Sequence, residues 1–136
     1  MGRQIKDSLA EAFAEELSTR VSHVVYAGRR DGDVAPPFTV VVVKRLEKIS
    51  PDAQVYYADM RVVHVSEVAD STSVEHDQRV ASIELALDEM PSRGVDVQRD
   101  VVLHGFYVDE VEDAVNGEDD VFGDVFIVKA GCGRGV

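Results

Sequence analysis

The 136-residue sequence carries 26 acidic against 14 basic side chains, a formal net charge of −12, and 45% of its residues are hydrophobic. That balance excludes the basic stripe with which nucleic-acid binders displace counterions, and it repels DNA, RNA and anionic membranes at long range. The apolar share is that of a globular chain, and the lone cysteine, Cys132, rules out an intramolecular disulfide.

Ile5, Leu9, Ala12, Phe13 and Leu17 recur at spacings of three and four, predicting an amphipathic helix over residues 4–19. The charges spread through residues 1–20 leave no secretory leader, and no apolar run approaches the roughly 20 residues of a membrane helix. "VSHVVYAG" predicts a strand over 21–27, and "GRRDGDVAPP" a loop ending in an extended Pro36-Pro37 exit. "FTVVVVKRLEK" from Phe38 is a strand whose continuous apolar centre predicts burial on both faces. "QVYYADMRVVHVSEV" from Gln54 is a long strand with two usable faces, the antiparallel partner of the one before.

Thr72 with Glu75 forms a capping box, and Val80, Ile83, Leu87 and Met90 line one face of the helix that follows. Pro91 and Gly94 end it. One or two strands are predicted between Val95 and Val111, then a hairpin turning at Asn116-Gly117 with "VFGDVFIVKA" as the returning strand. The last residues, "GCGRGV", read as a flexible glycine-rich tail over 131–136 with an exposed Cys132. The expected architecture is a single α+β domain over 1–130. In it, one mostly antiparallel or mixed sheet of about five or six strands carries two helices, in the order α-β-β-β-α-β-β.

Residues 109–124, "DEVEDAVNGEDDVFGD", hold eight carboxylates and no cationic side chain. A calcium loop of the EF-hand kind needs a glycine at its sixth position and flanking helices, which this stretch lacks. A general-acid pair needs one carboxyl in an apolar pocket, whereas carboxylates this dense are solvated. Asp109, Glu110, Glu112, Asp113, Glu118, Asp119, Asp120 and Asp124 are therefore expected to form an exposed electronegative surface. His23, His64, His76 and His104 show no metal-ligand spacing and are expected to be ordinary core or surface histidines. No serine lies in a nucleophile elbow, and Ser71 and Ser73 belong to a helix cap. "GCGRG" cannot act as a phosphate loop, since no helix follows it. No catalytic, cofactor-binding or metal-ligating residue is assigned, and no enzyme activity is expected. Arg29, Arg30, Lys44, Arg45 and Lys48 form the basic cluster, either a solvated strand end or a contact patch for a neighbouring copy.

The layout resembles the tail terminator (tail-completion, minor tail) proteins of long-tailed bacteriophages and prophages. The resemblance covers residues 4–110: an amphipathic first helix, "VVYAG", a polar loop, "PPFTVVVVK", a long strand ending "VVHVSEVAD", and the helix "SVEHDQRVASIELAL". Its most concrete part is Tyr26, Gly28, Pro36, Pro37, Phe38 and Val40. The resemblance implies a non-catalytic virion protein of the tail or neck, assembled in the host bacterial cytoplasm. It would form a homo-oligomer, a hexameric ring on the tail tube, that stops tube polymerisation and meets the head-side connector proteins. DNA would pass through that ring without specific binding. It implies no cofactor and no membrane partner. Three other readings stay open: another phage neck protein (connector or stopper), an acidic DNA-mimic adaptor or inhibitor, and a small metal-dependent enzyme using the acidic stretch with His104.

Overall fold

A computed structural model describes residues 5–28, 37–49, 54–67, 73–113 and 121–134. Its elements are α1 (Ile5–Ser18), β1 (Val24–Ala27), β2 (Phe38–Lys48), β3 (Val55–Glu67), α2 (Ser73–Glu89), β4 (Gly94–Asp96), β5 (Val101–Asp113) and β6 (Val121–Arg134). The strands form one sheet in the order β1-β2-β3-β6-β5-β4. β1 runs parallel to β2, and every other neighbouring pair is antiparallel. The α+β expectation holds, with β4 as an added three-residue strand.

Both helices lie on one face of the sheet. The apolar stripe of α1 (Leu9, Phe13, Leu17) and that of α2 (Ile83, Leu87, Met90) meet the inward rows of β2, β3 and β6 in a single core. Val62, Met60 and Ala58 of β3 stand beside Phe126, Val128 and Ala130 of β6 and are buried with them. Phe13 packs edge-on against Phe106 of β5 at 5.2 Å between centroids, which ties α1 to the far half of the sheet. β2 is covered on one side only. Thr39, Val41 and Val43 are buried beneath the helices, while Val40 and Val42 on the opposite face are half-buried. The apolar run thus reflects a strand near the centre of the sheet, without a second helical layer.

The glycine-rich ending is a correction to the sequence expectation. Residues 131–134 continue β6 as a central strand, with Cys132 between Tyr56 and Leu103 and Gly133 between Val55 and Val102. A Cβ on Gly133 would sit 2.5 Å from the Gln54 carbonyl oxygen, so only glycine lets the two backbones approach this closely. Cys132 is fully buried, and burial pushes its thiol up to about 11, the opposite of an exposed thiol. Gly135 and Val136 lie outside the described residues.

Candidate functional site

A chain of polar side chains runs through the helix–sheet interface, beside the apolar core. Its sequence origin is a break in pattern. On β3 the buried alternation Ala58, Met60, Val62 continues into His64 and Ser66, and on β2 Thr39 occupies a buried position among valines. His76 and Arg79 stand two turns and one turn, respectively, before Ile83 on the inward face of α2. The tertiary fold brings these residues together with His23, from the entry to β1, and Asp124 of β6.

The hydrogen bonds assign the protons. The Arg79 Nε–H donates to His64 Nε2 at 3.1 Å, so that nitrogen is an acceptor and Nδ1 carries the hydrogen. His64 Nδ1–H then donates to the Thr39 hydroxyl at 2.9 Å, and Thr39 donates onward to His23 Nε2 at 2.7 Å. Ser66 accepts from the Arg79 guanidinium at 2.8 Å and gives its own proton to His76 Nδ1 at 2.8 Å. His76 Nε2–H donates to Asp124 Oδ2 at 3.2 Å. The imidazoles of His23, His64 and His76 follow one another as tilted neighbours, with centroids 4.7 and 5.2 Å apart. Burial lowers the pKa of His64 to about 3, reinforced by His23, His76 and the Arg79 charge, and burial followed by Arg79 lowers that of His23.

Ser66, His76 and Asp124 have the contact order of a nucleophilic triad, set within the buried polar chain. Ser66 is fully buried and its oxygen is already occupied by Arg79. The two described hollows lie elsewhere. One, about 450 Å³, lies between α1 and the β4–β5 turn and is lined by Leu9, Phe13, Met90 and Val95; the other, about 290 Å³, opens on the helix-free face. A nucleophile needs a reacting carbon within reach, and Ser66 lines neither of these hollows. His23, His64 and His76 converge as partly or fully buried histidines, a meeting that their spacing in the sequence does not show. Only His104 stands apart, exposed at an irregularity of β5. No group of three or more His, Cys, Asp or Glu among the described residues could hold a metal ion.

The acidic residues of 109–124 have different placements. Asp109, Glu110 and Glu112 are exposed on β5, with Glu110 opposite Ile127 and Glu112 opposite Val125. The register shifts between Val108 and Glu110, which interrupts strict alternation at Asp109. Asp113 is registered with Asp124. Glu118, Asp119, Asp120 and the Asn116-Gly117 turn lie outside the described residues. Asp124 leaves the acidic group, because its carboxylate accepts from His76 inside the polar chain. Of the basic cluster, Lys44, Arg45 and Lys48 are exposed at the end of β2, while Arg29 and Arg30 lie outside the described residues.

The outer edge of the sheet is pinned by Arg99, whose guanidinium is ion-paired with Glu15 of α1 and with Asp96 at 2.7 Å. With this geometry the chain can be set beside solved structures. Its fold is shared with a chain of a virion. The match, to a structure described as the virion of a native gene transfer agent (GTA) particle, has a TM-score of 0.59 at 16% identity, and covers 86% of this chain and 84% of that one. Neither a protein-family model nor a curated protein matches the sequence.

Proposed function

We propose that this chain is a structural virion protein: a subunit of a ring that caps a tail tube, ends its polymerisation and presents the surface to which the head joins. The observation that carries the reading is the fold shared, along most of both chains, with a chain of a gene transfer agent virion. The layout of residues 4–110, which resembles tail terminators, points the same way. The net charge of −12 suits such a role, since carboxylates around a passage repel phosphates and leave DNA free to move. The exposed Asp109, Glu110 and Glu112 of β5 are the described residues best placed to contribute.

The same charge opposes assembly. Like charges brought together in a ring repel within a Debye length, roughly 30 Å at 0.01 M salt and 3 Å at 1 M. Sedimentation velocity on the purified chain should show monomers at low ionic strength and a growing oligomer as salt or divalent cation is added. Negative-stain micrographs of the oligomer should show closed rings. A monomer at every salt concentration overturns the proposal.

A further inference from the structure

We propose that the trough on the helix-free face of the sheet is the seat for α2 of a second copy of this chain, making it the head-to-tail contact of the ring; the inference rests on the ring reading above. The floor of the trough is Gly105 of β5 paired with Gly131 of β6, and its walls are Tyr57 of β3 and Tyr107 of β5. The tyrosines are 62% and 61% exposed, and a Cβ built on Gly105 meets nothing within 4 Å. Two rigid aromatic walls flank this glycine floor, with the Asp59–Lys129 ion pair (3.3 Å) beside it, and make a slot for an apolar side chain, with little conformational entropy to lose on filling.

The complementary feature lies on the opposite side of the molecule. Val74, Ala81 and Leu85, at i, i+7 and i+11, form a second stripe along α2 that points away from the core. Val74 is 62% and Leu85 57% exposed. Exposed carboxylates flank this stripe: Asp77, Glu84, Asp88 and Glu89. The contrast with α1 is informative, because there the late acids Glu15 and Glu16 are held by Arg99 and Arg20. Among the described residues Glu84, Asp88 and Glu89 have no such cation, and Asp88 and Glu89 stand in the last turn, where the backbone dipole disfavours negative charge.

The matching cations stand at the trough. Lys44, Arg45 and Lys48, offset by Glu47, occupy the exposed end of β2, and Arg45 lines the trough itself with its side chain 72% exposed. Seating Leu85 between Tyr57 and Tyr107 lets Glu84 and Asp88 meet Arg45 and Lys48. Charge pairs formed in such a contact are partly desolvated and screened less than the long-range repulsion of the whole chain. The two patches differ, so the contact is heterologous, the kind that closes into a ring.

The test is sedimentation velocity on the full chain at the salt concentration where the wild type assembles, with thermal melts to check folding. Gly105→Leu fills the floor, and Leu85→Glu removes the knob; each should raise the concentration for half-assembly at least about tenfold while the melt stays within a few degrees. Arg45→Glu and Asp88→Arg should each weaken assembly by several-fold, and combining them should restore most of the loss. Leu85→Glu changes only a solvent-facing helix position, so it and the charge swap decide the matter even if Gly105→Leu folds poorly. If the wild type forms rings and none of these variants changes them, the inference is overturned and the ring reading stands. If the wild type never assembles, both fall.

Discussion

The helix–sheet interface has two halves built on different chemistry. Toward β5 and the C-terminal half of α2 it is apolar: Phe13, Met60, Ile83, Leu87, Phe126 and Val128 interlock with no polar atom to satisfy. Toward the start of β1 and the N-terminal half of α2 it is the hydrogen-bonded chain from His23 through Thr39, His64, Ser66 and His76 to Asp124, with Arg79 feeding the middle. The apolar half gains stability from area and tolerates swaps that conserve volume. The polar half works only when every donor meets its acceptor, because an unmatched buried polar atom costs as much as several matched ones contribute. The first half supplies stability, and the second adds sensitivity to solution conditions.

That contrast can be broken at its strongest point first. Phe126→Ala, at a fully buried position, should destabilise by about 3–5 kcal/mol in denaturant titration, with no dependence on pH beyond the wild type's. Thr39→Val keeps the shape but removes the hydrogen bonds to His23 Nε2 and His64 Nδ1, and should cost roughly 1–3 kcal/mol at neutral pH. A loss below about 0.5 kcal/mol would mean that the chain is not a continuous network.

The acid response comes next. His64 titrates near 3 in the folded chain against an ordinary value of 6.5, so below 6.5 the unfolded chain takes up a proton that the folded chain refuses. Its contribution is therefore complete above 6.5 and is lost as pH falls toward 3, at about 1.4 kcal/mol per pH unit for one such histidine. His23 shifts in the same direction. Two carboxylates add to the loss at lower pH. Burial would raise the pKa of Asp59, but bonds from Arg61 and Lys129 outweigh it and hold it below the usual range; Arg99 does the same for Asp96. Stability measured from pH 7.5 to 5 should fall, and His64→Phe should flatten that slope; an unchanged slope would place the sensitivity elsewhere. The smallest effect belongs to the surface pair Arg20–Glu16, 2.9 Å apart at an i,i+4 spacing, where Arg20→Ala should cost only about 0.3–0.5 kcal/mol.

The same division marks what the sequence made legible. Periodic apolar positions located α1, β2, β3 and the stripe of α2, because burial of one face imposes its period on the chain. The polar chain was not legible in advance. Its members come from five separate places in the sequence, and local spacing joins only His64 to Ser66 on β3 and His76 to Arg79 on α2. The sign that was available is the continuation of β3's buried alternation into His64 and Ser66. Glycine content concealed the end of β6, since composition reports the conformations open to a residue while the close pass beside Gln54 demands its lack of a side chain. Asp124 was concealed by its acidic neighbours. Charge density in the sequence does not show which carboxylate turns inward to meet His76.

The central position of β6 has a consequence for how the chain folds. β3 and β5 both hydrogen-bond to this last strand, and β3 pairs with it along its whole length, from Glu67 with Val121 to Val55 with Gly133. During synthesis the first four strands can therefore form no complete sheet, because β3 presents an open edge until residues 121–134 emerge. Pairings this distant in sequence carry a loop-closure cost before they return any stability. The chain should accordingly refold slowly, in milliseconds to seconds, with docking of β6 as the late step.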